Sequence, residues 1–280
     1  MKRSMLVMLA AGGVLLVACS SGSSSKTSST SVTAKPANEQ LTIVVSNDDG
    51  YNAPGINTVV EALRKLPDTK VTVSAPATNQ SATGSKSTPG ALQVTQSTTL
   101  SGYPATAVHG YPVDAVDYAL THLFPGAKPD LVVSGINLGQ NLGPNVAISG
   151  TVGAAKAAAA RGVPAIAVSQ GVGNPLDYPS GARFVIDWIT AHRAALLAHK
   201  ARADVVNLNV PTCQTGAVRG VKSVPLSTSG ANSIKAADCT STATTFADDI
   251  EAFNNGFATV TELDPSGTAV TSPTTFPAAA

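Results

Sequence analysis

The chain has 280 residues, of which 43% are hydrophobic and only 12% charged, with a formal net charge of +1. That length suits one large α/β domain or two small ones. The near-neutral balance offers no basic field for a nucleic-acid backbone, and aromatic residues at 4% leave few platforms on which bases could stack, so no nucleic-acid partner is expected.

Lys2 and Arg3 precede an apolar run over residues 5–17. A membrane-spanning helix takes roughly 20 residues, so this shorter run reads as the core of a secretory leader. It ends in Leu16-Val17-Ala18-Cys19, which resembles the lipobox of bacterial lipoproteins. The resemblance implies cleavage after residue 18, acylation of Cys19 and attachment to a membrane through that lipid. An ordinary secretory leader is the alternative. Losing the leader leaves sixteen basic residues against seventeen acidic ones. Residues 20–40 read SSGSSSKTSSTSVTAKPANEQ, a Ser/Thr-rich tether that would span about 25 Å as a coil. The expected organisation is a leader over 1–18, a lipidated Cys19 with its linker over 19–40, and a folded domain over 41–280 in the cell envelope. With Cys19 acylated, Cys213 and Cys239 remain as a pair that export would allow to form a disulfide; two free buried thiols are the other reading.

The folded part alternates strand and helix. LTIVVS over 41–46 is a buried strand, and residues 55–66 carry Ile56, Val59, Val60 and Leu63 at helical spacing before Pro67. KVTVSA over 70–75 is the second strand. Residues 76–112, rich in Ser, Thr, Gly and Pro, read as a loop or small excursion. Pro112 opens a helix with Val113, Val116, Ala119, Leu120 and Leu123 on one face, and DLVVS over 130–134 is the third strand. A Gly/Asn loop over 135–148 leads to Ser149, which caps an Ala-rich helix over 150–161 that Gly162 ends. AIAVS over 165–169, an amphipathic helix over 181–200, a strand over 205–210 and a late strand over 256–263 complete the series. The pattern predicts an α/β fold: a mostly parallel Rossmann-like sheet, helices on both faces, and a C-terminal β-rich extension.

Parallel sheets bind ligands at the carboxyl ends of their strands. The first strand ends in Ser46-Asn47-Asp48-Asp49-Gly50. Two adjacent carboxylates repel unless a cation lies between them, and hard divalent cations take carboxylate and carbonyl oxygens; an Asx turn is the plainer reading. After the second strand comes Ala75-Pro76-Ala77-Thr78-Asn79-Gln80-Ser81, and after the third Ser134-Gly135-Ile136-Asn137-Leu138-Gly139-Gln140-Asn141-Leu142-Gly143. Asn137 there could offer a carbonyl oxygen. Ser149-Gly150-Thr151-Val152 opens a helix, whose unpaired N–H groups suit a phosphate as readily as they need a cap.

Strung in order, SNDDG-x3-PGI, AP-x2-NQS, VVSGIN-x-G-x-NLG and SGTV resemble the SurE family of metal-dependent 5′/3′-nucleotidases, from about residue 41 to 210, with a weaker echo at 245–261. The resemblance implies a Rossmann-like core, hydrolysis of nucleoside monophosphates, and Mg²⁺ or Mn²⁺ held by Asp48, Asp49, Ser81 and Asn137. Asp48 and Asp49 would be the catalytic carboxylates, and Asn141, Ser149, Gly150 and Thr151 would meet the phosphate. It also implies that a homodimer could form through a C-terminal arm exchanged between subunits; here the chain ends soon after Leu263. The loop before Ser81 departs from the family, with Ala77, Thr78, Gln80 and Ala82 where more charge and a Gly are usual. Neither G-x-S-x-G, G-x(4)-G-K-[ST] nor G-x-G-x-x-G occurs. Of the four histidines, His192 and His199 belong to an exposed helix face, His122 to a helix end, and His109 has no assigned role. The rival function is a solute- or nucleotide-binding lipoprotein without turnover.

Overall fold

The five apolar, β-branched runs at 41–46, 70–75, 130–134, 165–169 and 205–210, with PATAVH over 104–109, become six parallel strands, because each can be buried on both faces only inside a sheet covered by helices. The computed structural model describes residues 40–270. The leader, the lipidated Cys19 and the linker expected over 1–40 lie outside the described residues, apart from residue 40. The strands β1 (Leu41–Ser46), β2 (Thr69–Pro76), β4 (Pro104–His109), β5 (Leu131–Leu138), β6 (Ala165–Gln170) and β7 (Val205–Val210) line up as β4-β2-β1-β5-β6-β7, all parallel. The chain therefore builds outward from β1 in one direction, returns to the middle at β5, and builds outward in the other. That reversal opens a crevice beyond the carboxyl ends of β1 and β5, where doubly wound sheets bind ligands.

Helices cover both faces, as the alternation requires. On one side α1 (Pro54–Leu63) lies against α4 (Tyr178–Leu197), burying Ile56, Val59, Val60 and Leu63 with Phe184, Val185, Trp188 and Ile189. On the other, α2 (Pro112–Tyr118) lies against α3 (Gly150–Ala160). The alanines of α3 are buried nearly all round, so backbone and sheet approach closely. A side chain at Gly153 would lie 2.1 Å from the Gly84 carbonyl oxygen, so the loop after β2 rests directly on this helix. α4 begins three residues before its expected start, because Asp177 accepts from Ser180 N and Pro179 suits a first turn.

Three features depart from the sequence reading. The stretch 76–112 holds two strands, β3 (Gln93–Thr98) and β4, paired antiparallel at the sheet edge. β3 is mostly exposed, so it shows no apolar alternation to read. The helix opened by Pro112 widens into a π turn over Ala119–Leu123, where Phe124 N donates to Ala119 O; Pro125 follows and bars a further α turn. β5 runs on to Leu138, four residues past its expected end, so Asn137 lies inside the strand, paired with Ser169 of β6, rather than past its end.

The C-terminal extension adds β8 (Val221–Ser223), α5 (Asp249–Asn254) and β9 (Ala258–Leu263). β9 joins β7 antiparallel and β8 pairs with β9, completing a nine-stranded sheet. Cys213 and Cys239 form a disulfide, with Cα atoms 5.6 Å apart, that closes the loop between β7 and α5.

The start of α1 is pressed onto β5. A side chain at Gly55 would meet the Ile136 carbonyl oxygen at 1.9 Å and the Tyr178 ring at 3.1 Å. Gly55→Ala should therefore lower stability by about 1–3 kcal/mol, the scale of an overpacked core, whereas Gly230→Ala, at a position with open space around it, should leave the urea midpoint unchanged. Equal midpoints for both variants would show that α1 shifts freely.

Candidate functional site

The turn after β1 is built by its own side chains. Asn47 donates through Nδ2 to Gly50 O at 2.9 Å and accepts from Gly50 N at 3.2 Å, and Gly50 takes φ +106°, a conformation that favours glycine. The two aspartates between them are thereby fixed at the mouth of the crevice. Asp48 is buried, and its Oδ1 accepts from Thr151 Oγ1 at 2.6 Å. Beside it, a side chain at Gly150 would lie 2.8 Å from the Asp48 Cβ and 2.9 Å from its Oδ2. The glycine at the first position of α3 is thus required by the carboxylate, and the helix N-terminus sits directly on Asp48. Asp49 is half-buried; it accepts from Leu138 N at 3.1 Å and from Asn79 Nδ2 at 3.3 Å.

The loop after β2 folds onto this turn. Gln80 N donates to Asp48 O at 2.7 Å, Ser81 N to Asn79 Oδ1 at 3.0 Å, and Gly84 N to Ile148 O at 2.9 Å. Ser81 is brought to the same cleft as Asp48, Asn137, Asn141 and Ser149, a space of about 490 Å³. Asn137 donates both ways through Nδ2, to Gly139 O at 2.7 Å and Leu138 O at 3.3 Å, which leaves Oδ1 as its available group. Ser149 Oγ accepts from Val152 N, capping α3. Asn141 is anchored from behind: its N donates to Asn209 Oδ1, its O accepts from Asn207 and Asn209, and its Nδ2 donates to Ser169 Oγ.

Of the eight residues read from the sequence, the fold places Asp48, Ser81, Asn137, Asn141 and Ser149 on the cleft, Gly150 and Thr151 buried against Asp48, and Asp49 beside it, hydrogen-bonded to Leu138 and Asn79. Sequence reasoning missed that the Thr151 hydroxyl turns to Asp48, and that Asn79 links Asp49 to Ser81. It also missed Gln140, Asn145 and the segment around Ile234. None of the four histidines lines the cleft; His192, for example, stacks on Trp188.

The electrostatics are those of unpaired negative charge. No ion pair reaches either aspartate among the described residues, and no cation is among the groups that act on them. Burial pushes the Asp48 carboxyl up to about 6; the Thr151 hydrogen bond opposes this and the Asp49 charge adds to it. Burial also raises Asp49, against the bonds from Leu138 and Asn79. Among the described residues no three His, Cys, Asp or Glu side chains gather to hold a metal ion, so a cation here has to be completed by neutral oxygens. The two carboxylates, the Asn137 carbonyl and the Ser81 hydroxyl are donors of the all-oxygen kind that hard divalent cations take. A divalent charge would also relieve the repulsion and the desolvation that lift Asp48.

Residues 43–234 match the family described as survival protein SurE. A 5′-nucleotidase SurE of Sorangium cellulosum is 42% identical over 186 residues, covering 64% of this chain and 68% of that protein. One from Paramagnetospirillum magneticum is 40% identical over 183 residues, covering 65% and 68%. The crystal structure of a SurE protein from Aquifex aeolicus superposes with a TM-score of 0.65 at 28% identity, over 80% of this chain and 93% of that one.

The raised Asp48 carboxyl has a stability consequence with a definite sign. Its folded value lies above the ordinary 3.8, so the unfolded chain loses the proton first. On this group's account, metal-free stability falls as pH rises from about 4 to 6 and stays low above that. Asp48→Asn should therefore raise the metal-free melting temperature at pH 7 by a few degrees and flatten the change between pH 4 and 6. A calorimetric scan in chelator that finds the variant less stable at pH 7 than the native protein would show that Thr151 fully satisfies the charge.

Proposed function

This chain belongs to the SurE family, and on that premise we propose that it is a divalent-metal-dependent phosphatase that hydrolyses nucleoside monophosphates. The observation that carries the reading is the Asp48–Asp49 pair set against the first residues of α3, with Asn137 and Ser81 on the same cleft.

Asp48, Asp49, Ser81 and Asn137 would hold Mg²⁺ or Mn²⁺. Once bound, such an ion supplies Lewis-acid polarisation of the phosphoryl group and activation of water. The chain's own residues do the rest. Thr151 orients Asp48 through its hydroxyl, and Leu138 N with Asn79 orients Asp49. Ser149, Gly150 and Thr151 offer the phosphate the positive end of α3, which stabilises charge gained in the transition state without reorganisation. Asn141, braced by Ser169, Asn207 and Asn209, lines the same cleft beside them. Asp48 and Asp49 are the carboxylates within reach of the reacting group, and one of them is the acceptor for a proton from the attacking water.

The same reading assigns residues 1–18 to a cleaved leader, Cys19 to a lipid, 19–40 to a tether and 41–280 to the enzyme, held at the cell envelope. The Cys213–Cys239 disulfide supports export, since such bonds persist in oxidising compartments.

Two measurements test these statements. Phosphate release from nucleoside monophosphates should require Mg²⁺ or Mn²⁺, and Asp48→Asn or Asp49→Asn should each lower kcat by about 10²-fold or more, the scale of a lost preorganised electrostatic contact. Undiminished turnover in chelator would overturn the metal-dependent reading. For the anchor, Cys19→Ala should move the protein from the membrane fraction to the soluble one, and unchanged fractionation and mass would remove the lipid assignment.

A further inference from the structure

Among the described residues, the exposed large apolar side chains are Leu100, Leu138, Ile148 and Ile234. A scattered exposed aliphatic residue needs no explanation. Three of these four are not scattered: Leu138, Ile148 and Ile234 all line the cleft that holds Asp48. They come from three separate segments, the end of β5, the residue before the α3 cap, and the loop closed by Cys213–Cys239.

Ile234 is the most exposed of them, at 72%, yet its neighbours are firmly fixed. Gln140 Nε2 donates to Lys235 O at 2.9 Å, Asn145 Nδ2 to Ser233 Oγ at 3.2 Å, and Asn254 Nδ2 to Asn232 O at 3.2 Å. Two of these donors belong to the site loop itself. An apolar side chain is thus held in water, at the mouth of a polar site, by bonds from that site. The same bonds occupy the site loop's amides: Gln140 gives its nitrogen to Lys235 and its oxygen to Val172 N at 2.9 Å, and Asn145 gives its nitrogen to Ser233, leaving Asn145 its oxygen. Among the described residues, the cleft lining contains no aromatic residue and no basic one. Its inner end is polar, its outer rim aliphatic, and its volume fits a nucleotide-sized ligand.

We infer that Leu138, Ile148 and Ile234 form an aliphatic rim that receives the nucleobase of the substrate, with Ile234 the residue that sets affinity for it. This rests on the nucleotidase reading and deepens it. An aliphatic rim holds the base by its faces, so affinity follows the apolar area of the base, purines above pyrimidines. Because Ile234 is exposed, replacing it does not disturb the core.

The test is steady-state kinetics of the mature protein with Mn²⁺, on adenosine and cytidine monophosphates and on glycerol phosphate, which has no ring. Ile234→Ser should raise KM for adenosine monophosphate about tenfold, the effect of removing one side chain's apolar burial, and less for cytidine monophosphate. It should leave kcat within about twofold, leave KM for glycerol phosphate unchanged, and be largely rescued by Ile234→Leu. An equal rise in KM for glycerol phosphate, or none for the nucleotides, overturns the inference while leaving the nucleotidase reading intact. A native protein that releases phosphate from glycerol phosphate alone, or from none of the three, overturns the nucleotidase reading and this inference with it.

Discussion

The structure turns on the burial of one carboxylate under a helix N-terminus. Asp48 leaves β1 beside Gly150 and takes its hydrogen bond from Thr151, so the end of the first strand and the start of α3 are one unit although about a hundred residues separate them. The ionised carboxylate is costly in that surrounding, and the partial positive charge of the helix end offsets only part of the cost. What the fold leaves uncompensated is a concentrated negative charge with oxygen donors around it, in a crevice that the strand order creates. A cation set beside that charge would relieve it.

Most of this was legible in the sequence for a physical reason. The parallel strands are buried on both faces and therefore read as continuous apolar runs, as in LTIVVS, AIAVS and VVNLNV. The motifs that follow them are short-range and carry their own turn chemistry, so Asn47 to Gly50 and Ser149 to Thr151 could be placed at strand and helix ends without knowing the rest. What escaped is what depends on distant partners. β3 is an exposed edge strand whose pairing with β4 leaves no periodic mark. The turning of the Thr151 hydroxyl to Asp48, and the use of Gln140 and Asn145 to hold residues 233–235, are long-range bonds between residues that look locally like an ordinary cap and a Gly/Asn loop.

The C-terminal segment shows the same division. Its Ser/Thr-rich composition reads as tail, yet it contributes structure to the site. Asp249, at the first turn of α5, accepts from Gly143 N and Ser227 N at 2.8 Å each, tying the Gly/Asn loop to α5 and to the segment that follows β8. β9 then closes the sheet beside β7, whose Asn207 and Asn209 brace Asn141. The extension is therefore part of the wall of the cleft and not an appendage to it.

Along β5 the pairing with β6 slips between Ser134 and Asn137, so that three steps on one strand match two on the other. In a regular strand the residues that share a face are all odd or all even in number. Leu131 and Val133 face the α1 and α4 side, and so does Ile136: the extra residue has exchanged odd for even. The exchange is what sends Asn137 to the cleft instead of into the core, and Ile136 into the core instead of the cleft. One inserted residue thus acts as a parity switch for everything after it, converting a strand that serves only packing into one that ends in the cleft. Glycine at 135 is the residue that lets the strand make that exchange, since its φ of +136° is one that other residues rarely adopt and the Val168 carbonyl oxygen occupies the space a side chain would need.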